Sequence, residues 1–464
     1  MAAVNSKNKY QMDMCRGPLM KQIITFTIPL IFAGTLQLFF HLSDLIIVGR
    51  FASHKALAAV GATTSLTHLI IGVFLGMSVG TNVLTARYIG AKDRKQTSRT
   101  LHTSIAFSLS CGAFAAIIGI FFSKYFLTLM NTPSDILNMA TLYMQIYFAG
   151  MPLVMLYNFG NGVMRAAGDT KRPFYFLLIG GIINVLLNMF FVIVCKMDVE
   201  GVAIATVISQ GVSALLILQA MSKMGEGCRF RWKNLRIHWK NLKEIMWIGV
   251  PAGFQGSCFS IANIMIQSSL NSFGSDIIAG NTVAAQCETF LFITNASFGQ
   301  AVISFVGQNL GGKQYKRIRQ TIKYCAFASS AVTVGLVLLL YIFRTEALSL
   351  FNTNPAVIQG GLIRFSIVLP FLWVASFMEI FISALRGLGY SIAPTVFMIL
   401  GVCVYRIIWN ETIFRMYPEV RVLLASYPIS WAIVAVCAGT YCFFVLQKKI
   451  SKNNVSNTSA VKEK

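Results

Sequence analysis

The stretch RYIGAKDRKQTSRT at residues 87–100 returns in recognisable form as QNLGGKQYKRIRQT at residues 308–321. Residue 87 corresponds to residue 308, 221 positions later, and glycine, lysine and threonine recur at matching places. The same separation aligns RAAGDTKRP at 165–173 with RGLGYSIAP at 386–394. A repeat of this period indicates two copies of one structural unit.

The composition of the chain is that of an integral membrane protein. Hydrophobic residues make up 56% of the 464 positions, charged residues make up 12%, and the mean hydropathy is +0.66. Apolar runs of about 20 residues, the length that a helix needs to cross a bilayer, recur along the chain. The sequence therefore predicts an all-α polytopic membrane protein with twelve spans. These spans are predicted at 23–49, 57–88, 100–122, 136–160, 174–195, 200–221, 245–270, 277–308, 321–343, 355–384, 391–410 and 424–446.

The repeat divides the predicted spans into two lobes. Helices 1–6 form an N-lobe over 23–221, and helices 7–12 form a C-lobe over 245–446. A basic linker at 222–244 joins the lobes, and polar tails occupy 1–22 and 447–464. Because six is an even number of crossings, the two six-helix bundles are expected to be related by a pseudo-two-fold axis along the membrane normal.

Lysine and arginine are distributed unevenly between the loops. Most of the 39 basic residues fall in the tails, in the linker and in the loops on the same side of the membrane. The positive-inside rule therefore predicts that both termini are cytoplasmic. The same distribution accounts for the net charge of +23, so nucleic acid is not expected as a partner.

One short motif resembles a nucleotide-binding loop. The sequence GQNLGGKQ at 307–314 has the right glycines and lysine, but Gln314 stands where serine or threonine should hold magnesium. The motif also ends a predicted membrane helix instead of following a strand. Since no catalytic triad or metal-ligand spacing is recognisable either, neither an enzyme nor ATP-driven transport is expected.

Asp44 is an acid within an otherwise apolar run, LFFHLSDLIIVGR at 38–50. A carboxylate inside a bilayer is costly, so such residues usually face a polar interior and serve transport. Counting about 1.5 Å per residue from the ends of the spans places Asp44, Asn188 and Thr206 at a similar depth. Asn184 lies one turn from Asn188 on the same face. One carboxylate among amide and hydroxyl oxygens suits a proton carrier or a sodium site.

Other polar residues within the spans are candidates for a substrate cavity. Gln210 lies one turn after Thr206 in span six, and Glu288 and Glu379 are acids within C-lobe spans. We predict that these three residues and Gln37 line the cavity. A hydrogen-bonded structural role is the alternative for each of the acids, including Asp44.

Several motifs in register are similar to those of the multidrug and toxic compound extrusion (MATE) family, in its bacterial DinF-like branch. They include DLIIVGR at 44–50, ARYIGAKD at 86–93, INVLLN at 183–188 and VGQNLGGK at 306–313, and the resemblance covers nearly the whole chain. The resemblance implies twelve helices in two lobes and cation-coupled export of organic, often cationic, compounds. Carried over by position, the N-lobe cation site of the family falls on Asp44, Asn184, Asn188 and Thr206.

We therefore expect a monomeric multidrug antiporter of the bacterial inner membrane, coupled to protons or sodium ions and without a resident cofactor. Asn188 stands where many relatives carry a second aspartate, and the span at 245–270 lacks the acids of other branches, so the coupling ion stays open. A flippase of lipid-linked saccharides is the alternative on a similar frame. Its cavity would be expected to carry several cations, and only Arg87, Arg364 and Arg406 lie within the spans.

Overall fold

The structure is a computed structural model that describes residues 11–225 and 227–462, and these residues are almost entirely helical. In chain order, the first eight helices are α1 (Leu19–Phe51), α2 (His54–Gly90), α3 (Arg94–Leu129), α4 (Ser134–Ala149), α5 (Met151–Ala166), α6 (Lys171–Met189), α7 (Val199–Ser222) and α8 (Trp239–Leu270). They are followed by α9 (Ser275–Gly311), α10 (Tyr315–Ile342), α11 (Arg344–Ser349), α12 (Pro355–Val368), α13 (Leu372–Gly387), α14 (Ile392–Met398), α15 (Tyr405–Trp409) and α16 (Val420–Lys462). A π-helical segment extends α6 to Val194.

The predicted twelve spans are confirmed. By length and hydropathy, eleven segments of the described chain can cross a membrane, and the bent pair of α4 and α5 forms the twelfth. The sequence predicts this span as one run at 136–160, whereas in the structure the two helices meet at an angle of 47° beside Gly150. Pro152 lies in the first turn of α5, where a missing amide hydrogen is tolerated, so a new helix starts there. The protein is an all-α, multi-pass membrane protein.

The repeat seen in the sequence is also present in the helices. α2 begins at His54 and α9 at Ser275, 221 residues later, and the helices from α3 to α7 have counterparts with the same separation. The turns after α2 and α9 repeat as well, because Lys92 and Lys313 both adopt a left-handed backbone, with φ of 58° and 55°. Lysine is uncommon in this conformation, so its recurrence supports a duplicated unit.

The described residues form two compact units. The first comprises 11–14 and Ile24–Gly253, and the second comprises Cys15–Ile23 and 254–462. The first unit thus contains the described part of the linker and the first half of α8. Of the predicted tails, residues 1–10, 463 and 464 lie outside the described residues, and residues 447–462 continue α16 as a helix.

The first half of α8 packs closely against α2 within the first unit. A Cβ atom at Gly76 would lie 2.1 Å from the backbone nitrogen of Gly253. One at Gly80 would lie 2.2 Å from the carbonyl oxygen of Ile245. Only glycine lets the two backbones approach so closely, so the packing of α2 against α8 requires glycine at these positions.

Candidate functional site

The four residues predicted as the cation site come together in the first unit, from α1, α6 and α7. The Nδ2 atom of Asn188 donates a hydrogen bond to Oδ1 of Asp44 at 2.5 Å and a second to Oδ1 of Asn184 at 3.3 Å. Nδ2 of Asn184 in turn donates to Oγ1 of Thr206 at 3.4 Å. A continuous chain of hydrogen bonds therefore connects the carboxylate to the hydroxyl through two amides.

The geometry of α6 explains why the two amides act together. Asn184 and Asn188 are four residues apart, so their side chains project from the same face of the helix. Both are buried, and Asn188 is completely inaccessible to solvent. Thr206 donates its hydroxyl proton to the carbonyl of Val202 at 2.9 Å, which leaves its lone pairs to accept from Asn184.

One atom of this chain of contacts has no partner among the described residues. Oδ1 of Asn188 is buried and accepts no hydrogen bond. A buried acceptor without a donor is uncommon and costs roughly 1–3 kcal/mol. No three His, Cys, Asp or Glu side chains of the described chain are grouped as metal ligands. The amide and hydroxyl oxygens beside Asp44 are of the type that can coordinate a sodium ion.

Asp44 lies at a cavity of about 450 Å³ within the first unit. Asn184 and Thr206 line the same cavity, and so do Gln37 and Gln210, which are predicted from the sequence as substrate residues. Among the described residues of the lining, Asp44 is the one acid and His41 the one histidine, and none is a lysine or arginine. When Asp44 is ionised, the cavity carries a negative charge and favours a cation.

The cavity also contains hydroxyl groups that were not predicted from the sequence. Thr63 and Thr67 line it from α2, one helical turn apart. Tyr143 and Tyr147 line it from α4, with ring centroids 6.2 Å apart. Pairs of polar residues spaced by four within an apolar span are the signal that could have identified both. Two further helices thus contribute polar groups to the site.

The predicted acids Glu288 and Glu379 lie in the second unit and do not line this cavity. Glu288, on α9, is fully buried and forms a two-point ion pair with Arg364 of α12, at 2.7 and 2.9 Å. Arg364 also donates to Asn281 at 2.9 Å. Glu379 accepts a hydrogen bond from Ser383, one turn along α13, at 3.1 Å. A role of these two acids in binding substrate stays a prediction.

Comparison with known proteins indicates a transport function. The MatE family model matches the chain twice, at residues 29–190 and 251–411, which together are more than half of it. The chain is 28% identical over 442 residues to the probable multidrug resistance protein YoeA of Bacillus subtilis. The alignment covers 91% of this chain and 93% of that protein. It is 25% identical over 361 residues to the FAD transporter of Shewanella oneidensis, with coverages of 76% and 79%.

A solved structure with a similar fold is that of an outward-facing multidrug resistance MATE family transporter of the MOP superfamily. The TM-score is 0.89 at 21% identity, and the alignment covers 96% of this chain and 100% of the other. At this identity the likeness concerns the fold alone. The two matches of the family model begin at residues 29 and 251, close to the separation of the repeated helices.

Proposed function

This chain belongs to the MatE family of multidrug efflux transporters, and we propose that it is an antiporter that exports organic cations in exchange for an ion bound at Asp44. The observation that supports this proposal is the carboxylate of Asp44 in a cavity whose described lining contains no lysine or arginine. A cationic cargo and a coupling cation would compete for this single negative charge. Competition of this kind couples the two fluxes, because the binding of one ion opposes the binding of the other.

The hydrogen bonds at Asp44 favour a proton as the coupling ion. Asn188 presents Nδ2, a donor, to the carboxylate, whereas a sodium ion in that position would need oxygen ligands. Sodium binding would require the amide to rotate so that its buried, unbonded Oδ1 faces the ion. A proton binds to Asp44 itself and needs no such rotation. We therefore assign Asn184, Asn188 and Thr206 as positioning residues around a proton carrier.

The lining of the cavity suits a lipophilic organic cation. Tyr143 and Tyr147 supply aromatic rings, whose faces attract cations. The volume of about 450 Å³ falls within the range of roughly 300–1,000 Å³ that is usual for small-molecule sites. One relative is named an FAD transporter, so a phosphate-bearing anion belongs among the compounds to be tested. The charge of Asp44 opposes the binding of such an anion.

The distribution of basic residues supports an orientation with both termini in the cytoplasm. The tails, the linker at 222–244 and the segment at 313–323 contain most of the lysines and arginines that lie outside the spans. On this basis we propose that both termini are cytoplasmic. From the membership in the family, we further propose that the protein acts as a monomer in the bacterial cytoplasmic membrane and moves its cargo outward.

Purified protein in liposomes provides the test of the proposed function. An imposed proton gradient should drive the movement of a fluorescent organic cation, and a sodium gradient of equal size should not. FAD, tested in parallel as the anion, should not be transported. Movement of the dye that depends on neither gradient would contradict antiport, and translocation of lipid-linked saccharides would favour the flippase alternative.

Replacing Asn188 with aspartate should change the response of the transporter to both ions. A second carboxylate beside Asp44 makes proton binding more favourable and gives sodium a second charged ligand. We expect the pH profile of efflux by Asn188→Asp to shift upward by about one pH unit. We also expect sodium to stimulate this variant. Initial rates of dye efflux across a pH series, with and without sodium, measure both effects.

Asn271→Asp is the control for this substitution, because Asn271 is exposed near the end of α8 and undergoes the same chemical change. It should keep the wild-type pH profile. If Asn188→Asp also keeps both the wild-type pH profile and the wild-type response to sodium, Asn188 does not act beside the coupling carboxylate.

A further inference from the structure

A second cavity, of about 600 Å³, lies in the second unit between α10, α13 and α16. α10 and α16 both pack along α13 but contact each other at few positions, which leaves a groove between them. Its lining on α16 extends from Gly439 to Ile450, about 16 Å at the rise of an α-helix. Half of a bilayer's hydrocarbon core is about 15 Å, so this α10–α16 groove has the length of one membrane leaflet.

Most of the α10–α16 groove is apolar. Phe327 on α10 is 68% exposed, and Phe443 on α16 is 49% exposed. Phe377 and Phe381 lie one turn apart on α13, with ring centroids 6.2 Å from each other. Exposed aromatic rings around a concave surface offer packing contacts along the whole length of an acyl chain.

One end of the groove is basic. Arg319 and Lys323 lie one turn apart on α10, both are exposed, and neither is ion-paired to a carboxylate of the described chain. Both belong to the segment at 313–323, which the positive-inside rule predicts to lie at the cytoplasmic surface. Phe327 lies one turn deeper, and none of the described residues that line the groove is an acid. An anionic headgroup at this surface would therefore meet two cations next to an apolar channel.

Three small residues line the groove at positions where the first unit has larger ones. By the 221-residue repeat of the helices, Ala326, Gly439 and Cys442 correspond to Ile105, Leu218 and Met221. The three larger residues belong to a buried core cluster of the first unit. The second unit lacks this side-chain volume, which contributes to its open cavity.

The corresponding surface of the first unit is covered by the linker. Lys323 corresponds to His102, whose Nε2 accepts a hydrogen bond from the backbone N–H of Arg231 at 3.1 Å. The ring of His102 also stacks on Phe230 at 5.6 Å, and Phe230 is buried in the same core cluster. The second unit thus has an exposed cation where the first unit binds its own linker.

We propose that the α10–α16 groove is a binding site for one anionic phospholipid of the cytoplasmic leaflet. An acyl chain lies along Phe327, Phe381 and Phe443, and the headgroup phosphate is held by Arg319 and Lys323. Arginine binds phosphate with two parallel hydrogen bonds, and lysine adds a second charge. Anionic lipids are enriched on the cytoplasmic side, where basic sites between membrane helices bind their headgroups.

The site can be tested by titrating purified, delipidated full-length protein with phosphatidylglycerol or with phosphatidylcholine of the same acyl chains. Bound lipid is counted by native mass spectrometry. The wild type should bind one phosphatidylglycerol more tightly than phosphatidylcholine. Arg319→Gln with Lys323→Gln should weaken phosphatidylglycerol binding about 30-fold, as expected from the loss of two surface charges. Phosphatidylcholine binding should weaken much less, because the choline ammonium already neutralises the phosphate of that lipid.

Lys316→Gln with Lys448→Gln is the matched control, because both residues are exposed near the same end of the helices and neither lines the groove. This control should bind phosphatidylglycerol like the wild type. Cys442→Met, which introduces the residue found at the corresponding position of the first unit, should weaken the binding of both lipids. Equal binding of the two lipids by wild type, or equal losses in the two double variants, would overturn the proposal.

Discussion

Efflux driven by an ion gradient should be lost when Asp44 is replaced by asparagine. The substitution preserves the size of the side chain but removes the charge for which, in the proposed mechanism, coupling ion and cargo compete. Loss of one partner from a buried charge interaction typically costs 2–5 kcal/mol, so we expect the initial rate of dye efflux to fall by about 100-fold. Abundance in the membrane should stay near normal, because a neutral amide is easier to bury than a carboxylate.

Asp135→Asn is the matched control for this prediction. Asp135 is an exposed acid in the first turn of α4, in the same compact unit, and undergoes the same chemical change. This variant should transport at the wild-type rate in liposomes with the same proton gradient. Undiminished efflux by Asp44→Asn would instead identify Asp44 as a structural acid held by Asn188.

Arg364→Met should produce a large loss of stability. Glu288 is fully buried, and its ion pair with Arg364 compensates for the free energy that its carboxylate loses when it is removed from water. Removal of one partner from a buried pair costs about 3–5 kcal/mol because an uncompensated charge is left behind. We expect a lower midpoint of thermal unfolding in detergent and reduced abundance in the membrane.

The double variant Glu288→Gln with Arg364→Met should recover most of this stability, because both buried charges have been removed and none is left without a partner. The exposed pair of Arg415 and Glu411, at 2.5 Å, provides the control. Arg415→Met should change the free energy of unfolding by less than about 1 kcal/mol, as is usual for ion pairs at a surface. A double variant as unstable as Arg364→Met would show that the arginine contributes packing and not charge compensation.

The spans and their repeat could be predicted because both depend on properties that are local in the sequence. Hydropathy shows each long apolar helix, and the stretches at 87–100 and 308–321 carry the repeat in a few identical residues. The break at Gly150 could not be predicted in this way, because hydropathy continues across it unchanged. The bend depends on a backbone change beside Pro152, to which a hydropathy window is insensitive.

The candidate site was predictable only where residues are close along one helix or share a depth. Asn184 and Asn188 meet the first condition, and Asp44 and Thr206 meet the second. The ion pair of Glu288 meets neither, because Arg364 is 76 residues away and lies on a different helix. Hydropathy and depth do not determine how each helix is rotated about its own axis. That rotation decides which polar side chains of different helices meet.

The close contact of α2 with the first half of α8 has a consequence for biosynthesis. A nascent chain that has inserted α1 to α7 still exposes Gly76 and Gly80. Their partner segment, which extends from Ile245 to Gly253, has not yet left the ribosome. At about 5–20 residues per second, the 31 residues between Ser222 and Gly253 take roughly 2–6 s to synthesise. The first unit therefore matures only after translation has entered the second copy of the repeat, and separately expressed halves divided within the linker would leave α2 without its partner.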